Sequence, residues 1–535
     1  MTSGRAPDAS AAERSPRTLL PGAAQLAREI RDGALTATAA LEACIERIEA
    51  CDGAVNAVVQ RRFDHARQEA AEADARQAAG EHLGPLHGVP ITIKDQYNVA
   101  GMPTTIGLVS RSRDVASTDG PLVQRLRQAG AVVLGKTNVP QLLLVHESDN
   151  AVFGRTNNPW DTSRTPGGSS GGEAAVVAYG GSPLGLGGDF GGSIRGPAAF
   201  CGVTGLKPTA QRLSMLDTPP EPFGKQEAVS PQPGPIARNV EDLLLAMSVL
   251  AAPGQQAFDP RVPPVAWADP PDDISQLRVG WFDDNGMFRP SPAIRRAVRE
   301  AAQSLTGQGA HVTEVPPLDG VRTHELFLQL VGADRLGPTR SAVQDEKVHP
   351  LLTPMFMAAR MPGGVKRLLG PGVRATGRAR LARLLAARLP STPSEYFDLL
   401  DDRARLLIDL MATWDAADVD VLVLPAYGLP APHHGTTTDL LDAFSYLTVA
   451  NLFGLPAGVV AVTSVGVDEE TDRPPSRDAS DRLAASVERG SAGLPVAVQV
   501  IGRAWREDLV LATMARIEAS ARNSGSAPSL PVDPR

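Results

Sequence analysis

Residues 165–205 read TPGGSSGGEAAVVAYGGSPLGLGGDFGGSIRGPAAFCGVTG, and fourteen of these 41 residues are glycine. Glycine at that density costs backbone entropy and fills no core, so the segment must serve tight turns or a close approach of backbone to another group. One apolar run, Ala174–Ala178, interrupts it and reads as helix. Two serines stand within the glycine: Ser169, in Pro166-Gly167-Gly168-Ser169-Ser170-Gly171-Gly172, and Ser193, directly after Gly191 and Gly192. This is where the chemistry is sought.

Working outward, the flanks alternate helix and strand. From Leu19 to Gly80 the pattern is helical: Leu26 and Ile30, then Leu41, Cys44, Ile45 and Ile48, recur at helical spacing, with Thr36 or Thr38 as a cap and a further helix over Phe63–Gln77. Gly88–Asp95 is a short β-branched strand, and helix Leu122–Ala129 leads into strand Ala131–Leu134. Downstream, Arg278–Trp281, His311–Val315, Val421–Leu424, Val459–Val462 and Pro495–Ile501 read as strands and Pro292–Leu305 as a helix. The alternation indicates an α/β fold. Residues 253–275 are proline-rich and read as a long surface connection. There is no internal repeat and no linker, so one domain is expected over 19–522, between tails at 1–18 and 523–535.

The chain has 535 residues, 42% hydrophobic and 21% charged, with a net charge of −8. That is a globular composition, and the acidic balance argues against nucleic-acid partners, which need a basic surface. Three cysteines make no disulfide framework and no zinc spacing, so a reducing, cytoplasmic setting is expected. The N-terminal residues carry no apolar signal core, and Thr448–Val467, the longest uncharged apolar stretch, reads as buried strand and turn. Only six of the 52 basic residues are lysine, which makes each lysine more informative than an arginine.

Two motifs compete for the function and fail on context. Gly130–Thr137 matches the phosphate-loop pattern GxxxxGK[ST], but its interior, Ala131–Leu134, is strand sequence that cannot curl around a phosphate. It reads instead as a buried strand ending at a surface lysine, Lys136. Gly167–Gly171 matches the nucleophile elbow GxSxG, but the polar stretch Trp160–Pro166 before it supplies no strand.

A third reading joins Lys94, Ser169 and Ser193. An amide carbonyl is a poor electrophile, so its attack needs an activated hydroxyl and a site for the developing oxyanion. Backbone N–H groups from Phe190, Gly191, Gly192 and Ser193 can approach a carbonyl oxygen with little side-chain hindrance. A lysine buried beside a strand loses favour for its charged form and can serve as a neutral base. Asp189 and Arg195, beside Ser193, are expected as a structural ion pair or turn contact, and Cys201 as a small core residue.

These segments resemble the amidase signature family. The resemblance continues through Pro197–Gly202, Gly205–Thr209, His87–Pro90 and Thr137–Gln141, and covers nearly the whole chain outside the two tails. It implies a central mixed β-sheet covered by helices on both faces, and a serine amidohydrolase with no metal or organic cofactor. It assigns Ser193 as nucleophile, Ser169 as the bridging serine after a cis Gly168–Ser169 bond, Lys94 as base and Ser170 as support for the lysine. Within the family, Leu277–Trp281 with Pro290–Val298, Leu455–Val460 with Gly493–Gln499, Ser170–Glu173 and Gly181–Gly187 resemble the fatty acid amide hydrolases. The departures are Gly188, where threonine is usual, and the absence of a membrane helix before the domain.

Between Lys347 and Glu395 there is no acidic residue, and Arg360, Lys366, Arg367, Arg374, Arg378, Arg380, Arg383 and Arg388 alternate with leucine, methionine and phenylalanine. A basic amphipathic segment can lie on an anionic lipid surface. Residues 349–390 are therefore expected as a cap-like segment with peripheral contact at the inner face of a membrane, against the plainer reading of packed helices with a solvated arginine face. The expected substrate is a small-molecule amide, hydrophobic or fatty-acyl. Aryl or short-chain aliphatic amides, a glutaminase component of a transamidosome, and a homodimer stay open.

Overall fold

The computed structural model describes residues 20–81, 84–216, 218, 227–343, 346–361, 363–377, 382 and 389–535. The expected N-terminal tail and part of the basic segment, including Arg378, Arg380, Arg383 and Arg388, lie outside them.

Thirteen strands are described: β1 Val58–Arg61, β2 Pro90–Lys94, β3 Val132–Thr137, β4 Asp149–Asn150, β5 Gly154–Arg155, β6 Leu184–Asp189, β7 Thr204–Lys207, β8 Gln232–Ala237, β9 Arg278–Trp281, β10 His311–Glu314, β11 Val421–Pro425, β12 Ala457–Ser464 and β13 Pro495–Gly502. Eleven form one sheet in the order β1-β3-β2-β6-β8-β7-β12-β13-β11-β9-β10, while β4 and β5 make a separate ribbon. The sheet is mixed. β3, β2 and β6 run parallel, β6, β8, β7, β12, β13 and β11 pair antiparallel, and β11, β9 and β10 are parallel again.

Every residue of β2, β3, β6, β8, β11 and β13 is buried. That is the pattern of strands covered on both faces. Successive side chains of one strand feed different clusters. Val132 and Leu134 belong to the apolar cluster that includes side chains of helices 37–55, 63–78, 171–178 and 195–201, whereas Val133 belongs to the one that includes side chains of helices 121–128, 240–250, 292–307 and 507–523. Strand alternation thus places one helical layer on each face. The edge strands β1 and β10 are more exposed.

Local signals decide several boundaries. The Thr36 hydroxyl accepts the Ala39 N–H at 3.0 Å and caps helix 37–55, as expected of Thr36 or Thr38. Gly454 takes φ +70 to end helix 445–453.

Four expectations are corrected. Lys136 is fully buried rather than at the surface, because Asp95 Oδ1 meets its Nζ at 2.7 Å. Thr448–Val467 is not strand and turn throughout, since its first residues belong to helix Ser445–Phe453; a short apolar run fits either state. The helix expected at Ala174 starts at Gly171, one residue after Ser170. The C-terminal residues do not trail: Val532 is buried with its N–H on the Ala178 carbonyl at 3.0 Å, and the Arg535 carbonyl accepts the Thr162 N–H at 2.8 Å. Backbone docking of this kind leaves no hydrophobic period in the sequence.

In the basic segment, helices Thr353–Arg360 and Gly363–Ala375 form. Leu352 and Phe356 are buried in one apolar cluster with Leu142 and Leu143, while Met357, Leu368 and Leu369 are 62%, 82% and 44% exposed. Among the described residues no helix is long and apolar enough to cross a membrane.

Candidate active site

The site forms where β2 and β6 end side by side. β2 delivers Lys94 at its last residue, and β6 delivers the Gly187–Asp189 backbone. Lys94 Nζ donates to Ser169 Oγ at 2.8 Å and to the Gly188 carbonyl at 3.0 Å. The Ser170 hydroxyl donates to the same carbonyl at 3.2 Å, and the Ser170 N–H donates to the Ser193 carbonyl at 3.1 Å. The Gly168–Ser169 peptide is cis. Lys94, Ser169, Ser170 and Ser193 therefore lie in one buried cluster.

Lys94 is 1% exposed. Burial pulls its ammonium down to about 7, against the opposing pull of Asp189 and Glu173. Among the described residues no carboxylate touches the Nζ; its contacts are a hydroxyl and a carbonyl. Such surroundings permit a neutral amine, which a direct ion pair would oppose. Glu173, on helix 171–178, is buried nearby and accepts from the Thr92 and Thr137 hydroxyls at 2.7 Å each. Burial pushes its carboxyl up to about 8 despite those hydrogen bonds and Lys94.

The loop bearing Ser193 is organised by Asp189. Burial would raise this carboxyl, but the Arg195 guanidinium and Asn451 hold it well below the usual range. Its oxygens accept the Gly192 N–H at 2.8 Å, the Ile194 N–H at 3.1 Å and Arg195 Nε at 3.0 Å. Arg195 also reaches the Leu447 carbonyl at 2.9 Å, Asn451 Oδ1 at 2.5 Å and the Gln499 carboxamide. The expected ion pair is thus observed, and it ties the serine loop to helix 445–453 and β13. Cys201 is buried, as expected of a core residue.

One expectation for the oxyanion site changes. The Gly192 N–H already serves Asp189, whereas the Gly191 and Ser193 N–H groups have no partner among the described residues. Aromatic rings wall this loop. Phe190 lies 6.3 Å from Phe327, His146 and His324 stand edge-on to Phe444 at 4.9 Å each, and Tyr427 lies 6.3 Å from His146.

Sequence reasoning assigns no role to Glu173, His146, Asn451 or Gln499. For Glu173 a signal exists, since it stands in the glycine-rich stretch, three residues after Ser170. The other three come from distant segments and carry none.

The family described as Amidase matches residues 39–511. The chain belongs to the amidase signature family. It is 35% identical over 509 residues to "Fatty-acid amide hydrolase 1" of Sus scrofa, covering 92% of this chain and 84% of that protein. It is 31% identical over 506 residues to "Fatty acid amide hydrolase 1" of Caenorhabditis elegans, covering 92% and 87%. The solved structure "Fatty acid amide hydrolase" superposes with a TM-score of 0.78 at 26% identity, over 94% of this chain and 85% of that one. This amidase is accordingly a hydrolase acting on amide C–N bonds, built on the mixed sheet and two helical layers that the resemblance implied.

Proposed function

We propose that this amidase cleaves hydrophobic amides, with fatty-acyl amides first among them, through Ser193, Ser169 and Lys94. Neutral Lys94 draws the Ser169 proton, and Ser169 draws that of Ser193, whose Oγ attacks the carbonyl. The Gly191 and Ser193 N–H groups receive the oxyanion. Collapse expels the amine, protonated through Ser169, and leaves an acyl-enzyme that water hydrolyses by the reverse relay. The observation that carries this reading is the 2.8 Å bond from a buried, carboxylate-free Lys94 to Ser169. Ser193→Ala should abolish turnover while circular dichroism stays unchanged; retained turnover overturns the assignment.

The fatty-acyl preference rests on the apolar side chains exposed on the basic segment, Met357, Leu368 and Leu369. A cytoplasmic enzyme docking this segment on a membrane would take its substrate from the lipid, with homodimers presenting two such segments. The check is pelleting with anionic liposomes at low salt, where an unbound enzyme sinks the membrane reading. The rings around the serine loop favour a second reading, an aryl amide, because aromatic faces and edges select planar groups. Rates measured from acetyl to oleoyl and across benzoyl amides separate the two: a rise with chain length supports the first, and a peak at benzoyl the second.

A further inference from the structure

In the stretch Gly167-Gly168-Ser169-Ser170-Gly171-Gly172-Glu173, every residue but the two serines and the glutamate is glycine. The glycines offer the segment no side chain to hold it in place. Backbone contacts supply part of the hold: the Gly171 N–H donates to the Ser148 hydroxyl at 3.1 Å, and the Gly172 N–H donates to the Asn138 carbonyl at 3.3 Å. The first side chain past the serines is that of Glu173, and it is fully buried.

Its partners lie on the strand that carries Lys94 and on the strand beside it. Ile91 and Ile93 of β2 belong to the apolar cluster of the opposite face, so strand alternation turns Thr92 and Lys94 toward helix 171–178. Thr137 of β3 is the register partner of Lys94. The Thr92 hydroxyl meets one carboxyl oxygen of Glu173 and the Thr137 hydroxyl meets the other, at 2.7 Å each. Neither hydroxyl has another partner among the described residues. These contacts make a ladder of two rungs between β2 and the serine segment. Lys94 meets Ser169 at 2.8 Å, while Thr92, two residues earlier, meets Glu173, four residues later. Gly185 leaves room for the second rung, since a Cβ there would collide with the Glu173 carboxyl.

We propose that Glu173 is a positioning residue for the proton relay: by clasping Thr92 and Thr137 it holds the serine segment against β2 and sets the distance from Lys94 to Ser169. The proposal rests on the relay through Ser193, Ser169 and Lys94. A threonine hydroxyl both donates and accepts, so the clasp closes on a charged and on a protonated carboxyl alike. Its requirement is the span of the side chain, not the charge. Catalysis falls steeply when reacting groups are misplaced, and about 1 Å costs about 100-fold.

Glu173→Ala removes the clasp. Its kcat on an amide should fall about 10- to 100-fold, with KM within about threefold. The affinity for the product acid, which needs no relay, should stay within about twofold. Glu173→Gln keeps the span and presents one acceptor and one donor group, so its kcat should stay within about threefold of wild type. Glu173→Asp keeps the carboxyl but is one methylene too short to bridge both strands, and should fall with the alanine variant. Thr92→Val opens the rung on the strand that carries the lysine, and Glu173→Ala added to it should cost less than Glu173→Ala alone. If Glu173→Ala fails to fold, Glu173→Asp takes its place in each comparison. An unchanged kcat in Glu173→Ala or Glu173→Asp, a loss in Glu173→Gln as deep as theirs, a kcat and a product-acid affinity lost together, or full additivity with Thr92→Val overturns the proposal. The underlying reading fails separately, if Ser193→Ala keeps its turnover.

Discussion

β2 and β3 are parallel neighbours, and each carries a buried lysine near its C-terminal end, with Ile93 opposite Lys136 and Lys94 opposite Thr137. Lys136 Nζ meets Asp95 at 2.7 Å and also donates to the Pro103 carbonyl at 2.7 Å and the Thr104 hydroxyl at 2.9 Å. Lys94 Nζ has a hydroxyl and a carbonyl. Burial lowers both ammonium groups, but only at Lys136 does a touching carboxylate pull the other way. The contrast teaches that burial alone does not make a base. In the proposed mechanism a buried lysine serves as base where its acceptors are neutral, and as a structural strut where one of them is charged.

Substitution by methionine should separate the two roles. Lys94→Met should lower kcat about 10³-fold in steady-state assays, with a melting temperature at or above that of wild type, because an apolar isostere removes a costly buried amine. Lys136→Met should do the reverse. It leaves the buried Asp95 carboxylate without its counter-ion, held only by Gln60 and Thr105, which costs about 3–5 kcal/mol in denaturant titrations, while the folded fraction keeps most of its turnover. Equal losses of activity in the two variants would erase the distinction.

A smaller effect lies in the pH profile. In the proposed mechanism Lys94 acts as a neutral amine, so kcat/KM should climb as pH rises through about 7 and then level. The linkage has the same sign. The folded value, about 7, lies below the unfolded 10.5, so between them the unfolded chain binds a proton that the folded chain does not, and stability rises with pH across that window. Lys94→Met should flatten that rise by one proton. Smallest of all, Glu173→Gln should move the acidic limb of kcat/KM only slightly, and to lower pH, because the Glu173 carboxyl, pushed up to about 8, is mostly protonated at that limb and only its residual charge raises Lys94. A limb moving upward would count against that coupling.

The same pair of lysines shows what is legible in the sequence. Glycine density locates the serine loops, and the strand before Lys94 locates the proposed base, because both are local signals. The surface expected for Lys136 fails because Asp95 reaches it across the sheet, and no spacing in the chain marks that contact. Strand positions read closely at β2, β9, β11 and β13, where apolar runs are bounded by turn residues. Helix 445–453 escapes the reading because a short apolar run serves helix and strand alike. Asn451 and Gln499 reach Arg195 from more than 250 residues away, a distance that only the folded sheet closes.

Glu173 bears on how such a site can change over generations. A side chain at Gly185 would occupy the space of the Glu173 carboxyl, so these two positions cannot vary independently. A side chain at Gly185 forces the Glu173 carboxyl away from Thr92 and Thr137, so a substitution there is tolerated best after the loss or shortening of Glu173. The order of events is therefore constrained as well as their outcome. A pair of single variants and their double, compared for folding, would show this dependence as a sign change: Gly185→Ala is harmful beside Glu173 and tolerated beside Glu173→Ala.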